Sequence, residues 1–294
     1  MAGPAVVFGF ADYREPGQRL ARALGLAYEE VEVHRFPDGE SRVRVPTPVP
    51  AEVLFCRSLD RPNDKLVELA LAAATARELG AERLALAAPY LCYLRQDTAF
   101  HPGEAVSQRI IGRELARCFD TVVTVDPHLH RTPELARAVP VARPLALSAA
   151  EPLATLLAER GDRPLLLGPD EESAQWVEAI ARRAGLEHAV ARKIRSGDRS
   201  VAIDLPAVSV AGRAVVLVDD VASTGRTLAE ACRALRSAGA ARVDVVVTHA
   251  LFAGDALAVL GEAGVETVLS TDSIRHESNA VELAPLLAAA LRGP

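Results

Sequence analysis

The chain has 294 residues, half of them hydrophobic, with 33 basic and 39 acidic side chains and a formal net charge of −6. That length holds two ordinary cores rather than one, and the interspersed charges form no basic stripe of the kind that neutralises a nucleic-acid backbone. The four cysteines, Cys56, Cys92, Cys118 and Cys232, lie far apart with no CxxC pair, which argues against a zinc cage or redox motif and for small core residues in a reducing compartment.

The first residues, MAGPAVVFGFADYREPG, contain no basic n-region and only about five apolar residues before a glycine, too few for a signal-peptide core. No stretch approaches the roughly 20 apolar residues of a membrane span. The expectation is a cytoplasmic protein with neither a membrane nor a nucleic acid as partner.

Along the chain, short apolar runs alternate with longer helical stretches. AVVFGF precedes REPGQRLARALG, EVLFCRS precedes DKLVELALAAATARELG, RLALAAPYL precedes GEAVSQRIIGRELARCF, and TVVTVD follows. After the Pro-rich AVPVARPLALSAAEP the alternation resumes. LATLLAERG reads as a helix, PLLLGPD as a strand and loop, and SAQWVEAIARRAG as a helix. VVLVDD, TGRTLAEACRALRSAG and VDVVVTHALF then read as strand, helix and strand. Glycine follows most of the helical runs, as left-handed C-caps require. This is the pattern of βαβ units on parallel sheets. The fold class expected is α/β with two halves, residues 1–145 and 146–279, and a C-terminal helix near 280–294 packing on the first. Open parallel sheets bind ligands beyond the carboxyl ends of their strands, so the loops after VVTVD, LLLGPD and VVLVDD are where chemistry is sought.

The most specific signal is Val215 to Thr227. An apolar strand ends in Asp219 and Asp220, and the hydroxyl-rich loop Ser223, Thr224, Gly225, Arg226, Thr227 then opens a helix. Backbone N–H groups at a helix start, with three hydroxyls, make an anion cradle, and Gly225 lets the backbone approach closely. Two carboxylates beside a phosphate suit sugar hydroxyls, directly or through a cation. The pattern resembles the diphosphoribosyl-binding loop shared by phosphoribosyltransferases and diphosphokinases.

Further motifs separate those families. Phe36-Pro37-Asp38-Gly39-Glu40 reads alone as a turn before the strand SRVRV. Pro62-Asn63-Asp64 reads as a helix start with Asn or Asp as cap. Pro89-Tyr90 through Arg95, Gln96 and Asp97, then Pro102-Gly103-Glu104, ends an apolar strand in polar groups. Taken in this order they resemble the N-terminal motifs of the ribose-phosphate diphosphokinase family, particularly its shorter, archaeal-like form. The resemblance implies two phosphoribosyltransferase-like domains, the first on the ATP side and the second on the ribose 5-phosphate side. It places Phe36, Asp38 and Glu40 near adenine, often across a subunit interface, and Arg95, Gln96 and Asp97 along ATP. It also makes His128, with Asp170, a ligand of Mg²⁺, and gives His130 a counterpart in archaeal-like forms. Lys193 and Arg195, in the basic stretch 191–199 that by itself reads as a surface loop, match the catalytic Lys-x-Arg of a flexible loop. Asp219, Asp220, Ser223, Thr224, Gly225 and Thr227 would hold ribose 5-phosphate. Asp170 also reads as a simple helix N-cap.

The implied reaction transfers the β,γ-diphosphate of Mg-ATP to the anomeric hydroxyl of ribose 5-phosphate, in a homo-oligomer. Two departures stand out. Thr98 and Ala99 replace the usual basic residues after Arg-Gln-Asp, and Glu171-Glu172-Ser173 replaces a small, Gly-rich segment after Asp170. Like charges about 4 Å apart repel by roughly 4 kcal/mol at an effective dielectric near 20, so a non-catalytic regulatory homologue stays open. A phosphoribosyltransferase is the third reading.

Overall fold

The computed structural model describes residues 5–129, 132, 134–196 and 200–292, with side chains described except at 193–196 and 200–202. The chain forms two compact units, the first running through Leu147 and resuming at Glu282, the second spanning Ser148–Val281. Both are α/β with mostly parallel sheets, as the alternating pattern predicts.

The first unit is built in chain order from β1 (Val6–Phe10), α1 (Arg14–Leu24), β2 (Ala27–Arg35), β3 (Ser41–Arg44), β4 (Glu52–Cys56), α2 (Pro62–Glu78), β5 (Arg83–Ala87), α3 (Ser107–Cys118), β6 (Thr121–Val125), α4 (Leu135–Ala138) and β7 (Arg143–Leu147). Its sheet order is β3-β2-β1-β4-β5-β6-β7, parallel except for the antiparallel β2–β3 hairpin. Helices on both faces explain why β1 is buried at every residue and β4 at all but its first. Phe8, Phe55 and Phe119 stack edge to face at the centre, with centroids 5.7 Å apart, each burying an area worth about 2 kcal/mol. α1 ends at Gly25, whose φ of 73° makes the left-handed cap that glycine tolerates.

The second unit contains α5 (Ala150–Glu159), β8 (Leu165–Gly168), α6 (Ala174–Ala184), β9 (His188–Val190), β10 (Arg192–Ser196), β11 (Ser200–Asp204), β12 (Ala214–Ala222), α7 (Arg226–Ser237), β13 (Arg242–Ala250), α8 (Ala256–Glu262), β14 (Val268–Thr271) and β15 (Asn279–Val281). Its six-stranded sheet runs β15-β14-β13-β12-β8-β9, all parallel. Beside it β10 and β11 pair antiparallel, so residues 192–196 of the basic stretch expected as a loop form a strand, with Lys193 opposite Ile203 and Arg195 opposite Val201. The last helix, α9 (Ala284–Arg292), belongs to the first unit, where it packs on α1.

Three local expectations are corrected. The Pro-rich segment contains β7, tolerated because β7 pairs only with β6 and is an edge strand. Neither Asn63 nor Asp64 caps α2. The N-cap is Arg61, in the left-handed region at φ 48°, followed by Pro62 at the first helical position. The helix expected from Gly103 onward begins only at Ser107, since residues 101–106 form turns and irregular structure.

Candidate functional site

Both sheets change winding direction between two central strands: β1 and β4 in the first unit, β8 and β12 in the second. The carboxyl ends around such points are where open α/β sheets bind ligands. Backbone strain collects there too. Among the described residues, five non-glycines have positive φ, and four of them, Arg61, Tyr93, Asp126 and Phe252, lie in loops that leave β4, β5, β6 and β13.

In the second unit, β8 and β12 run in register with Leu167 beside Leu217, which brings the residues after each strand to one edge. Asp170 is the N-cap of a short 3-10 turn, its Oδ1 accepting from the Glu172 N–H at 3.1 Å, so the capping role is real. Asp219 is half-buried and Asp220 is 3% exposed. The carboxyl of Asp219 is pushed well above the usual range, first by burial, then by the charges of Asp220 and Asp170. Three carboxylates therefore sit close enough to repel, a debt that a cation or sugar hydroxyls relieve.

The loop beyond continues the pattern. Gly225, at φ 69°, is the N-cap of α7, and its carbonyl accepts from the Ala229 N–H at 2.8 Å. The carbonyls of Ala222 and Ser223 accept from the Phe252 and Ala253 N–H groups, both at 2.9 Å. These acceptors are used inside the protein, which suits a loop whose ligand-facing groups must be donors. Ser223 and Thr227 are half-buried and Thr224 is exposed. Glu171 and Glu172, the acids that departed from the family pattern, are both exposed, and Glu171 lies 3.9 Å from the Arg192 guanidinium. Solvent screening of that kind removes most of the repulsion expected from a buried charge.

In the first unit, the loops after β5 and β6 are tied together. The Pro89 carbonyl accepts from the Val125 N–H at 3.1 Å and the Thr124 hydroxyl at 3.2 Å. Arg95 is exposed, Gln96 half-buried and Asp97 buried, while His128 is half-buried beyond β6. His130 lies outside the described residues. Sequence reasoning missed Gln108, 2% exposed in α3. Its backbone N–H donates to Gln96 O at 3.2 Å, its side-chain amide to Leu94 O at 3.1 Å, and its carbonyl accepts from the Thr132 hydroxyl at 2.8 Å. One side chain thus links the two loops. The signal was available: 108, 112 and 115 share the core face of α3, where an amide needs partners.

The turn at the tip of β2–β3 holds Phe36, 40% exposed and edge-on to His34 at 4.8 Å. The Phe36 N–H donates to Glu40 O at 2.8 Å and the Glu40 N–H to Asp38 Oδ1 at 3.1 Å. An exposed aromatic face on a closed turn is an unusual use of a Phe. Among the described residues, no three His, Cys, Asp or Glu side chains form a cage for a metal ion, and no helix is long and apolar enough to cross a membrane.

Comparison with known proteins bears on both units. Residues 5–118 match the model for the N-terminal domain of ribose phosphate pyrophosphokinase, and residues 136–281 match the phosphoribosyl transferase domain; the segment holding Asp126 and His128 falls between them. A ribose-phosphate pyrophosphokinase of Methanopyrus kandleri is 38% identical over 278 residues, 94% of each chain. Another, from Methanosarcina mazei, is 36% identical, covering 94% of this chain and 91% of that one. The crystal structure of phosphoribosylpyrophosphate synthetase from Mycobacterium smegmatis superposes with a TM-score of 0.84 at 25% identity, covering 98% of both chains. With two family models spanning most of its length and relatives above one-third identity over nearly all of it, the chain belongs to the ribose-phosphate pyrophosphokinase family.

Proposed function

We infer that this protein is a ribose-phosphate diphosphokinase, transferring the β,γ-diphosphate of ATP to the anomeric hydroxyl of ribose 5-phosphate and releasing AMP. Beyond family membership, the observation that carries this reading is the edge of the second unit, where Asp170, Asp219 and Asp220 meet a hydroxyl loop at the start of α7. The sugar's phosphate would lie against the N–H groups and hydroxyls of Ser223, Thr224, Gly225 and Thr227, and its ring hydroxyls against Asp219 and Asp220.

The anomeric oxygen attacks the β-phosphorus, a new P–O bond forms, and the bond from that phosphorus to the α,β-bridging oxygen breaks. AMP departs with the bridging oxygen and the hydroxyl proton passes to solvent. Such transfers depend on positioning and charge stabilisation more than on covalent help. Lys193 and Arg195, on the β10–β11 ribbon, would place two cations on the oxygens of the moving phosphoryl group. Arg95, Gln96 and Asp97 would line the ATP, and Phe36, Asp38 and Glu40 its adenine.

The donor set fits Mg²⁺. It is a hard, oxygen-preferring cation that keeps several waters and takes one or two carboxylates beside substrate phosphates, and mutually repelling acids supply them. Asp170 would hold it on the second unit, with His128 the imidazole that resemblance to the family adds, and when bound it would neutralise phosphate charge. The first unit is then the ATP side and the second the sugar side, in a cytoplasmic homo-oligomer.

AMP release from ATP and Mg²⁺ tests the reading, with and without ribose 5-phosphate, in the native chain and Lys193→Ala. The expected result is sugar-dependent AMP, reduced about 10²-fold or more in the variant. No AMP under any condition, with ribose 5-phosphate still binding, would refute it. No AMP from ATP, with a nucleotide and diphosphate formed instead from a nucleobase and phosphoribosyl diphosphate, would point to a phosphoribosyltransferase.

A further inference from the structure

The turn carrying Phe36, Asp38 and Glu40 stands on two residues, Arg35 before it and Ser41 after it, which pair across the β2–β3 hairpin. Both reach the same carboxylate. Glu68 of α2 is fully buried, and its Oε1 accepts from Arg35 Nε and Nη2 and from the Ser41 hydroxyl, each at 3.2 Å. Its Oε2 lies 2.6 Å from Nη2 of Arg57. Arg57 is itself 4% exposed, stacked over the Phe10 ring at 4.2 Å, with Nε donating to Asp12 at 3.1 Å. Lys65 closes the cluster, 3.0 Å from Asp12 and 2.6 Å from Asp60.

This cluster occupies the carboxyl ends of β1 and β4, the winding switch point of the first unit. The corresponding point of the second unit holds Asp170, Asp219 and Asp220, which are arranged for a ligand. Within the first unit the same topological position is filled by the protein's own charges, and one of those charges, Glu68, grips both feet of one turn.

A buried carboxylate is a poor device for stability alone, since well-packed apolar side chains of similar volume often do as well or better. What ion pairs add is direction: Glu68 defines where Ser41 must be and, together with Asp64 at 3.0 Å from Nη1, where Arg35 must be. Packing does not do this on the open side, where a cleft of about 630 Å³ is lined by Asp12, Glu32, Arg35, Arg57 and Glu68 among others. A turn released from Glu68 has room to move.

We propose that Glu68 is a positioning residue for the nucleotide, fixing the 36–40 turn at both feet and thereby the placement of its base-contacting groups. The proposal rests on the reading that this turn meets adenine. Arg57 and Asp12 act behind it by holding Glu68 in place.

The test uses the full-length protein with Glu68→Gln, which keeps shape and removes charge, and Ser41→Ala, which releases one foot. KM for ATP, KM for ribose 5-phosphate, kcat and Tm are measured, and ATP binding is measured by calorimetry. For Glu68→Gln the expected result is a rise of about tenfold in KM and dissociation constant for ATP, with kcat and the ribose 5-phosphate KM within twofold of native. Ser41→Ala should raise the ATP values about threefold without changing Tm. A merely structural role would lower Tm and active fraction while leaving both KM values alone. That outcome, or an equal rise in both KM values, would overturn the proposal. If Glu68→Gln does not fold, Ser41→Ala and Arg35→Gln decide, and unchanged ATP affinity in both would overturn it. Calorimetry keeps this separate from the reaction itself: a native chain that makes no AMP refutes the activity, whereas intact AMP release with ATP affinity indifferent to these variants refutes only the clamp.

Discussion

Gly112 sits inside α3 with its missing side chain aimed at backbone. A Cβ placed there would lie 1.7 Å from the Ala138 carbonyl oxygen, 2.7 Å from its carbon and 3.2 Å from the Val139 Cα. Two effects oppose each other in Gly112→Ala. Helix propensity favours alanine by about 1 kcal/mol. Against it, α4 must retreat by about 1.5 Å before the contact becomes tolerable, and overpacking of this sort costs roughly 1–3 kcal/mol, occasionally more. The overlap is with backbone rather than a flexible side-chain tip, and Leu135, Ala138 and Val139 are all buried, so the cost should fall at the upper end and win. The expected net loss is about 2 kcal/mol, a fall in Tm of roughly 4–8 °C. Gly261→Ala is the control, because that helical glycine has nothing within 4 Å of its Cβ; only the propensity gain remains, and Tm should rise by a degree or so, about 0.5 kcal/mol or more. Scanning calorimetry on the native chain and both variants reads the difference. If Gly112→Ala melts at or above the native temperature, the steric reasoning is wrong.

Two further outcomes follow from the second unit. For Gly225→Ala, the left-handed φ of 69° costs a non-glycine roughly 1–2 kcal/mol, and the new Cβ would lie 3.2 Å from the Ala256 carbonyl and 3.3 Å from Leu260. The loop must shift, so KM for ribose 5-phosphate should rise about tenfold with KM for ATP unchanged; steady-state kinetics with each substrate varied checks this. Asp219 has a carboxyl raised in the folded state by burial and by Asp220 and Asp170, so the native state binds its proton more tightly than the unfolded chain. The stabilising contribution of that proton is complete below the unfolded value near 3.9 and is lost as pH rises through the folded one. Asp219→Asn should therefore raise the ligand-free Tm at pH 8, by about 2 °C or more, with the advantage shrinking towards pH 4. A difference that does not vary with pH counts against this account.

Much of the second unit's edge was legible because its grammar is local. An apolar strand, two acids, small hydroxyl residues and a helix start lie within thirteen consecutive positions from Val215 to Thr227, and each element follows from short-range rules. The edge strand β7 was hidden by Pro140 and Pro144, which read as linker because a proline is forbidden only where both sides of a strand are paired. Strand β10 was hidden by its basic residues, since without apolar alternation a strand has no signature in sequence. Gln108 and Glu68 escaped for a different reason. Each is one polar residue on a helix, and its meaning lies in partners 11 to 33 positions away. Buried polar groups must find partners, but which partners is a property of the fold.

The first unit is interrupted by the second. Its final helix, α9, buries Ala284, Leu287, Ala288 and Leu291 and reaches Ala23 O through Arg292, while Arg143 of β7 donates to Ala290 O at 3.0 Å. During synthesis the ribosome therefore makes all of Ser148–Val281 before the piece that covers α1 exists. At about 5–20 residues per second this is a delay of roughly ten seconds, in which the second unit has every segment it needs and the first does not. The order of completion is the reverse of the order of translation. A cell's chaperones would meet the earlier-made half as the later one to close, with the apolar flank of α1 open in the interval.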